Sequence, residues 1–139
     1  MSEAKEWNKK VIEEFRANEG KVGGYFENIN LLLLHSTGAK SGQPRLTPVA
    51  YTRDEERYVI IASKAGAPTN PDWYYNVTAN PVVEVEIGKE KFRALAKVTK
   101  EPERTELYDR MATKYKVFAE YKDKTTRVIP VITLERLLY

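Results

Sequence analysis

The sequence predicts an α+β domain whose centre is a barrel of about six mostly antiparallel strands, with three or four helices at its periphery. Three observations carry this. Apolar and polar residues alternate with a period of two through residues 82–87 and again through 91–99, the pattern of strands with one buried face. The links between strand-like runs are short and turn-rich, as at Asp54-Glu55-Glu56 and Gly88-Lys89, which favours hairpins over crossovers. Helical patterns occur at the N-terminus, in one crossover and near the C-terminus, rather than after every strand, so a doubly wound parallel sheet is not expected.

Residues 3–18 read as an amphipathic helix, because Trp7, Val11, Ile12 and Phe15 make one apolar stripe. Asn18 and Gly20 end it, and Gly23-Gly24 follow as a joint. Its polar face mixes Glu3, Glu6, Glu13 and Glu14 with Lys9 and Lys10. A helix docked on the core is the plain reading; a lid or a peripheral contact with a membrane surface is the sharper one, although a lipid-facing helix would be more uniformly basic. The leucine run 31–34 with His35-Ser36 has the length and flanks of a buried strand. Further strands are expected at 45–52, 58–63, 82–87, 91–99 and 127–134. Asn70-Pro71-Asp72 reads as a helix start, with Asn at the N-cap, Pro at the first helical position and an acid in the first turn; that helix should stop before Asn80-Pro81. A longer helix is expected from Glu101-Pro102 through Tyr115, and residues 116–126 have no clear pattern.

At 139 residues the chain suits one domain, 1–139, made of a helical segment 1–20 and a core 29–139. With no cysteine there is no disulfide frame, thiolate metal site or cysteine nucleophile. Residues 1–18 contain no apolar signal-peptide core, and no apolar run approaches the roughly 20 residues that span a bilayer. A cytoplasmic location, with or without peripheral membrane contact, is the expectation. The 23 basic and 20 acidic side chains give +3, too mild for a nucleic-acid surface. The cations and aromatics also form no single stripe, so no nucleic-acid partner is expected. A small anionic ligand remains compatible.

Three stretches could carry chemistry. Thr37-Gly38-Ala39-Lys40-Ser41-Gly42-Gln43-Pro44-Arg45 lies between two strands and combines a tight loop with fixed positive charge. It is either an anion cradle or a hairpin turn with ordinary surface cations. Ala62-Ser63-Lys64-Ala65-Gly66-Ala67, leading to Asn70 and Trp73, has small residues that would let a flat ring approach the backbone ahead of a helix N-terminus; the plain alternative is a connection with a core tryptophan. Tyr115, Phe118 and Tyr121 recur every three residues in strongly polar surroundings. They are core packing, or tyrosines lining a pocket as hydrogen-bond or proton donors. His35 is the sole histidine, no carboxylate cluster has ligand spacing, and no metal site is expected. Difficult chemistry would have to come from a cofactor.

The motifs Gly38-Ala39-Lys40-Ser41-Gly42-Gln43-Pro44-Arg45 with Pro48, Ala62-Ser63-Lys64-Ala65-Gly66-Ala67, Asn70-Pro71-Asp72-Trp73-Tyr74-Tyr75-Asn76, Ala79-Asn80-Pro81 and the closing segment 123–130 occur in order. In these the chain resembles the deazaflavin (F420)-dependent nitroreductases of actinobacteria, over about residues 31–133. The resemblance implies a split β-barrel of the flavin-reductase kind and a cofactor with a phosphate and a glutamate tail. It implies that Lys40, Ser41 and Arg45 hold anionic parts of that cofactor, that Pro48 lies near its ring, and that Ser63, Lys64, Ala65, Gly66 and Ala67 line ring and phosphate. Trp73 and Asn76 would brace that second loop. Tyr115 and Tyr121 would wall the acceptor pocket, and Tyr121, or Tyr115, is the expected proton donor or hydrogen-bond donor to the charge that develops. Phe118 and Ala50 stand in the same pocket where the best-known members carry tyrosine, removing two hydroxyls. The implied activity is hydride transfer from reduced F420 to a quinone, nitro compound or activated enone. An FMN-binding reductase and a non-catalytic deazaflavin carrier are the alternatives, and a homodimer through paired edge strands is compatible.

Overall fold

The computed structural model describes residues 3–26 and 28–137; Leu138 and Tyr139, assigned above to the core, lie outside them. Six strands, β1 (Leu31–Thr37), β2 (Pro44–Asp54), β3 (Arg57–Ile61), β4 (Val82–Ile87), β5 (Glu90–Val98) and β6 (Val131–Arg136), close into a barrel in the order β1-β2-β3-β6-β5-β4. Every neighbouring pair is antiparallel. Four helices surround it: α1 (Glu3–Ala17), α2 (Asp72–Ala79), α3 (Glu103–Lys114) and α4 (Lys116–Lys124). No described helix is long and apolar enough to cross a membrane.

The period-2 pattern explains the interior. Leu32, Leu34, Ile60, Val85, Ala94, Ile132 and Leu134 face inward and are fully buried, and α2 closes one end by burying Trp73 and Val77 in the same cluster. The leucine run is apolar on both faces because both are covered. Leu31 and Leu33 face out, where Val11 and Phe15 of α1 bury them. On β3, Val59 and Ile61 face out under Leu107, Tyr108 and Met111 of α3 and Phe118 of α4.

Several boundaries differ from the sequence reading, and three of them have a clear physical cause. The last strand starts at Val131, not Arg127: Pro130 has no N–H for a ladder, and the Arg127 side chain turns to a loop described below. The helix after β3 is capped by Pro71, not Asn70, because the Asn70 carboxamide oxygen accepts a hydrogen bond from Arg127 instead. The long helix breaks at Tyr115, which is extended (φ −125, ψ 102) and starts α4, the segment without a clear pattern.

Two contacts fix α1. Gly20, at φ +97, ends the helix with its N–H 2.7 Å from Phe15 O. A Cβ there would lie 2.9 Å from Gly88 Cα in the β4–β5 turn. Further back, Arg16 Nη2 and His35 Nε2 both reach Glu86 Oε2, at 2.8 and 2.5 Å. Burial pushes the Glu86 carboxyl up, but the hydrogen bonds and charges of Arg16 and His35 outweigh it and hold the carboxyl below its ordinary value.

Gly20→Ala should therefore cost about 1–3 kcal/mol, from overpacking against backbone and a positive φ, read as a lowered urea midpoint. The acid dependence has a definite sign. A depressed Glu86 stabilises the fold above the ordinary carboxylate range, and the contribution is lost as pH falls through its folded value. Glu86→Gln should accordingly be less stable than wild type near neutrality, and the gap should narrow between about pH 5 and pH 3. A constant gap across that range would contradict the assignment.

Candidate functional site

The loop after β3 holds three successive residues in the left-handed region. Lys64, Ala65 and Gly66 follow one another at φ +48, +54 and +82. Two of these are not glycine, so the conformation must be held from outside. Its own turn supplies two bonds, Gly66 N–H to Ser63 O and Ala67 N–H to Lys64 O, each 3.0 Å. Arg127 supplies the rest. Its Nε donates to Ala67 O at 2.9 Å, Nη1 to Asn70 Oδ1 at 2.6 Å, and Nη2 to Ser63 O at 2.9 Å and Ala62 O at 3.1 Å. On the other side Gly66 packs on α4, where a Cβ would lie 2.9 Å from Lys124 Cβ and 3.1 Å from Tyr121 O. Only glycine fits.

The β1–β2 loop is held by α2. Buried Asn76 accepts from Ala39 N–H at 3.0 Å and reaches Ser36 Oγ at 3.5 Å. The loop closes on itself through Gly38 N–H to Gln43 O, 2.8 Å. Lys40, Ser41 and Arg45 are exposed and share with Asp72, Tyr75 and Asn76 a cleft of about 750 Å³. Asn76 and Trp73 thus do not brace the loop after β3, as the resemblance implied. Asn76 braces the β1–β2 loop, Trp73 plugs the barrel, and Arg127 does the bracing. Among the described residues no carboxylate forms a salt bridge with Lys40, Arg45 or Lys64. The Lys64 ammonium reaches only Thr69 Oγ1, at 3.2 Å, and Arg45 only Ser41 Oγ, at 3.4 Å.

Between the α1 cluster and the α3–α4 cluster the outer face of β2 is incompletely covered, leaving a partly exposed strip, the trough. Leu46, Pro48 and Ala50 point outward and stay partly exposed. Leu46 and Ala50 touch the α1 cluster, and Ala50 also touches the α3–α4 cluster, so it is the seam between them. The aromatic trio borders this seam, but only partly as the polar sequence suggested. Tyr115 and Phe118 are buried, at 6% and 5% exposure, because one face of α4 packs on the sheet while its lysines point to solvent. The Tyr115 hydroxyl accepts from Asn30 N–H at 3.0 Å and faces Tyr51 O at 3.5 Å. Tyr121 is half-buried, edge-on to Phe118 with ring centroids 5.4 Å apart.

The structure therefore gathers Lys40, Ser41, Arg45 and Asn76 at one cleft; Ser63, Lys64, Ala65, Gly66, Ala67 and Tyr121 at a second place; and Pro48, Ala50, Tyr115 and Phe118 along the trough. Arg127 was not singled out in the sequence, where its only signal is an arginine in the motif segment 123–130. Among the described residues no group of His, Asp and Glu could hold a metal ion.

Comparison with known proteins identifies the fold and the family. The F420H(2)-dependent quinone reductase of Mycobacterium tuberculosis is 39% identical over 129 residues, spanning 88% of this chain and 85% of that one. A solved F420-H2-dependent reductase superposes with a TM-score of 0.69 at 38% identity, covering 76% of this chain and 93% of its own. A second structure, described as a domain-swapped dimer, gives 0.71 at 33%, covering 95% and 99%. A haem-storage protein of Vibrio cholerae, at 15% identity and TM-score 0.61, shares the fold alone. The profile of the F420H(2)-dependent quinone reductases matches residues 7–136, and with almost the whole chain inside that match, the chain belongs to the F420H(2)-dependent quinone reductase family.

Proposed function

We propose that this protein is an enzyme that binds coenzyme F420 along the trough on β2 and directs its hydride to a quinone. The observation that carries the reading is the pairing of a partly exposed apolar strip, Leu46, Pro48 and Ala50, with three cations, Lys40, Arg45 and Lys64, that have no carboxylate partner among the described residues. A flat ring with an anionic tail fits such a surface: small residues admit the ring, and fixed cations and left-handed backbone receive the anions. When bound, the reduced deazaflavin supplies a hydride as a two-electron reductant.

The chain's own residues do the remaining work. Pro48 and Ala50 give a floor over which an acceptor can lie flat at roughly 3–3.5 Å from the ring. Phe118, Ile29 and Ala50 keep the seam apolar and limit solvent. A quinone that takes up hydride still needs one proton. Tyr115 is poorly placed to give it, because its hydroxyl is engaged with the backbone of Asn30 and Tyr51. The donor, or the hydrogen-bond donor to the charge that develops, is Tyr121 in this reading.

FMN is the competing cofactor, since its phosphate would suit the same cations. The family match favours F420. A dimer by edge pairing is not available to a closed barrel, which has no free edge; a dimer of this chain would exchange an element instead, in the manner of the relative described as domain-swapped.

Parallel fluorescence titrations with F420 and FMN test the reading, with F420 expected to bind at about micromolar Kd or tighter and FMN far more weakly. Tight FMN binding without F420 binding would overturn it. Tyr121→Phe should lower kcat with a quinone by about 100-fold or more while F420 Kd moves little. Tyr115→Phe should instead lower the unfolding midpoint, as it removes the acceptor of a partly buried N–H. Unchanged kcat in Tyr121→Phe would remove it as donor.

A further inference from the structure

We propose that Arg127 is a positioning residue for the cofactor's phosphate: it fixes the loop 63–70 in the left-handed form that presents backbone N–H groups and Lys64 to an anion. This rests on the F420 reading above and adds to it a residue that touches neither ring nor acceptor.

The geometry is specific to a guanidinium. Three nitrogens of one planar group meet four acceptors that come from both ends of the loop: Ala62 O and Ser63 O at its start, Ala67 O and Asn70 Oδ1 at its end. They therefore staple entry to exit. The intervening residues are left no room to relax out of positive φ, which Lys64 and Ala65 would otherwise leave. A lysine, with three donors at one point, cannot span these positions. Among the described residues, no backbone or side-chain acceptor takes the N–H groups of Lys64 or Ala65, whereas those of Gly66 and Ala67 are used inside the turn. The left-handed stretch thus carries donors without an internal use, beside the Lys64 ammonium.

Charge points the same way. Arg127 is partly buried and, among the described residues, has no carboxylate partner; the acceptors it meets there are neutral oxygens. An unneutralised positive charge behind the loop adds to that of Lys64 in front of it. Both act on an anion at short range, where screening is weak. A purely structural arginine at this depth would more economically be paired with Asp or Glu.

The test compares wild type, Arg127→Lys and Arg127→Ala against two ligands: F420, and the same deazaflavin lacking phosphate and glutamates. Arg127→Ala should weaken F420 binding by roughly tenfold or more while changing the phosphate-free ring by less than about threefold. Arg127→Lys should restore charge but not the staple and fall between. Millimolar methylguanidinium should recover F420 affinity in Arg127→Ala and leave wild type unchanged. Hydrogen exchange on the ligand-free protein, read over residues 63–70, should rise in Arg127→Ala and separates the staple from general unfolding if the barrel strands keep their protection. Equal loss for both ligands, or unchanged exchange in the loop, would overturn the role. Failure of the wild-type chain to bind F420 would overturn the proposed function itself and this role with it, a result distinguishable because loop exchange is measured without cofactor.

Discussion

Closure of the barrel is the constraint on which everything else is hung. β1 pairs with β2 on one side and β4 on the other, with Leu33 opposite both Pro48 and Glu86. Once the sheet returns on itself, every inner position is committed to a single core, filled by alternating residues from all six strands and plugged by Trp73. The helices can then pack only outside, and they pack where the outer face is apolar: α1 over Leu31 and Leu33, α3 and α4 over Val59 and Ile61. What lies between these two coverings, on β2, is an apolar strip of outer sheet that the helices flank without fully burying. The trough is a consequence of closure and incomplete cover rather than a separate invention.

The loops that serve this trough are made rigid by polar side chains reaching across the fold. Asn76 holds the β1–β2 loop from α2, and Arg127 holds the loop after β3 from the chain leading to β6. Both are side chain to backbone bonds spanning long sequence separations, so each loop is held from outside as well as by its own turn bonds. A functional loop built this way is fixed before a ligand arrives, which lowers the ordering cost of binding. It also places the strain of Lys64 and Ala65 where the surrounding structure over-determines it.

The strands and the first helix were legible because each signal is local. Alternation in 82–87 and the helical stripe report burial directly at most positions: the structure buries Val83, Val85, Val11 and Phe15, whereas Trp7 stays 48% exposed. The terminal strand was placed four residues early because β-branched composition around Arg127 and Val128 looks like strand, while the arginine's long-range bonds and Pro130 take that stretch out of the ladder. Asn70 was read as a cap for the same kind of reason. Its local preference is real, but a guanidinium 57 residues away offers a better use of its oxygen. Residues 116–126 escaped because one helical face of α4 buries Phe118 while the rest is charged, and a nine-residue helix gives too few turns for the period to stand out.

By itself, then, the sequence determined the strand-rich α+β architecture, the absence of cysteine chemistry, the two glycine-containing loops with their cations, and the family resemblance that those motifs carry. Tertiary structure decided which loop each brace serves, that Tyr115 spends its hydroxyl on backbone while Tyr121 packs on Phe118 beside the loop after β3, and that Arg127 holds that loop. The division has a physical cause. Periodic burial and turn chemistry are written in neighbouring residues, whereas the partner of a hydrogen-bonding side chain is set by where closure of the barrel brings distant segments together.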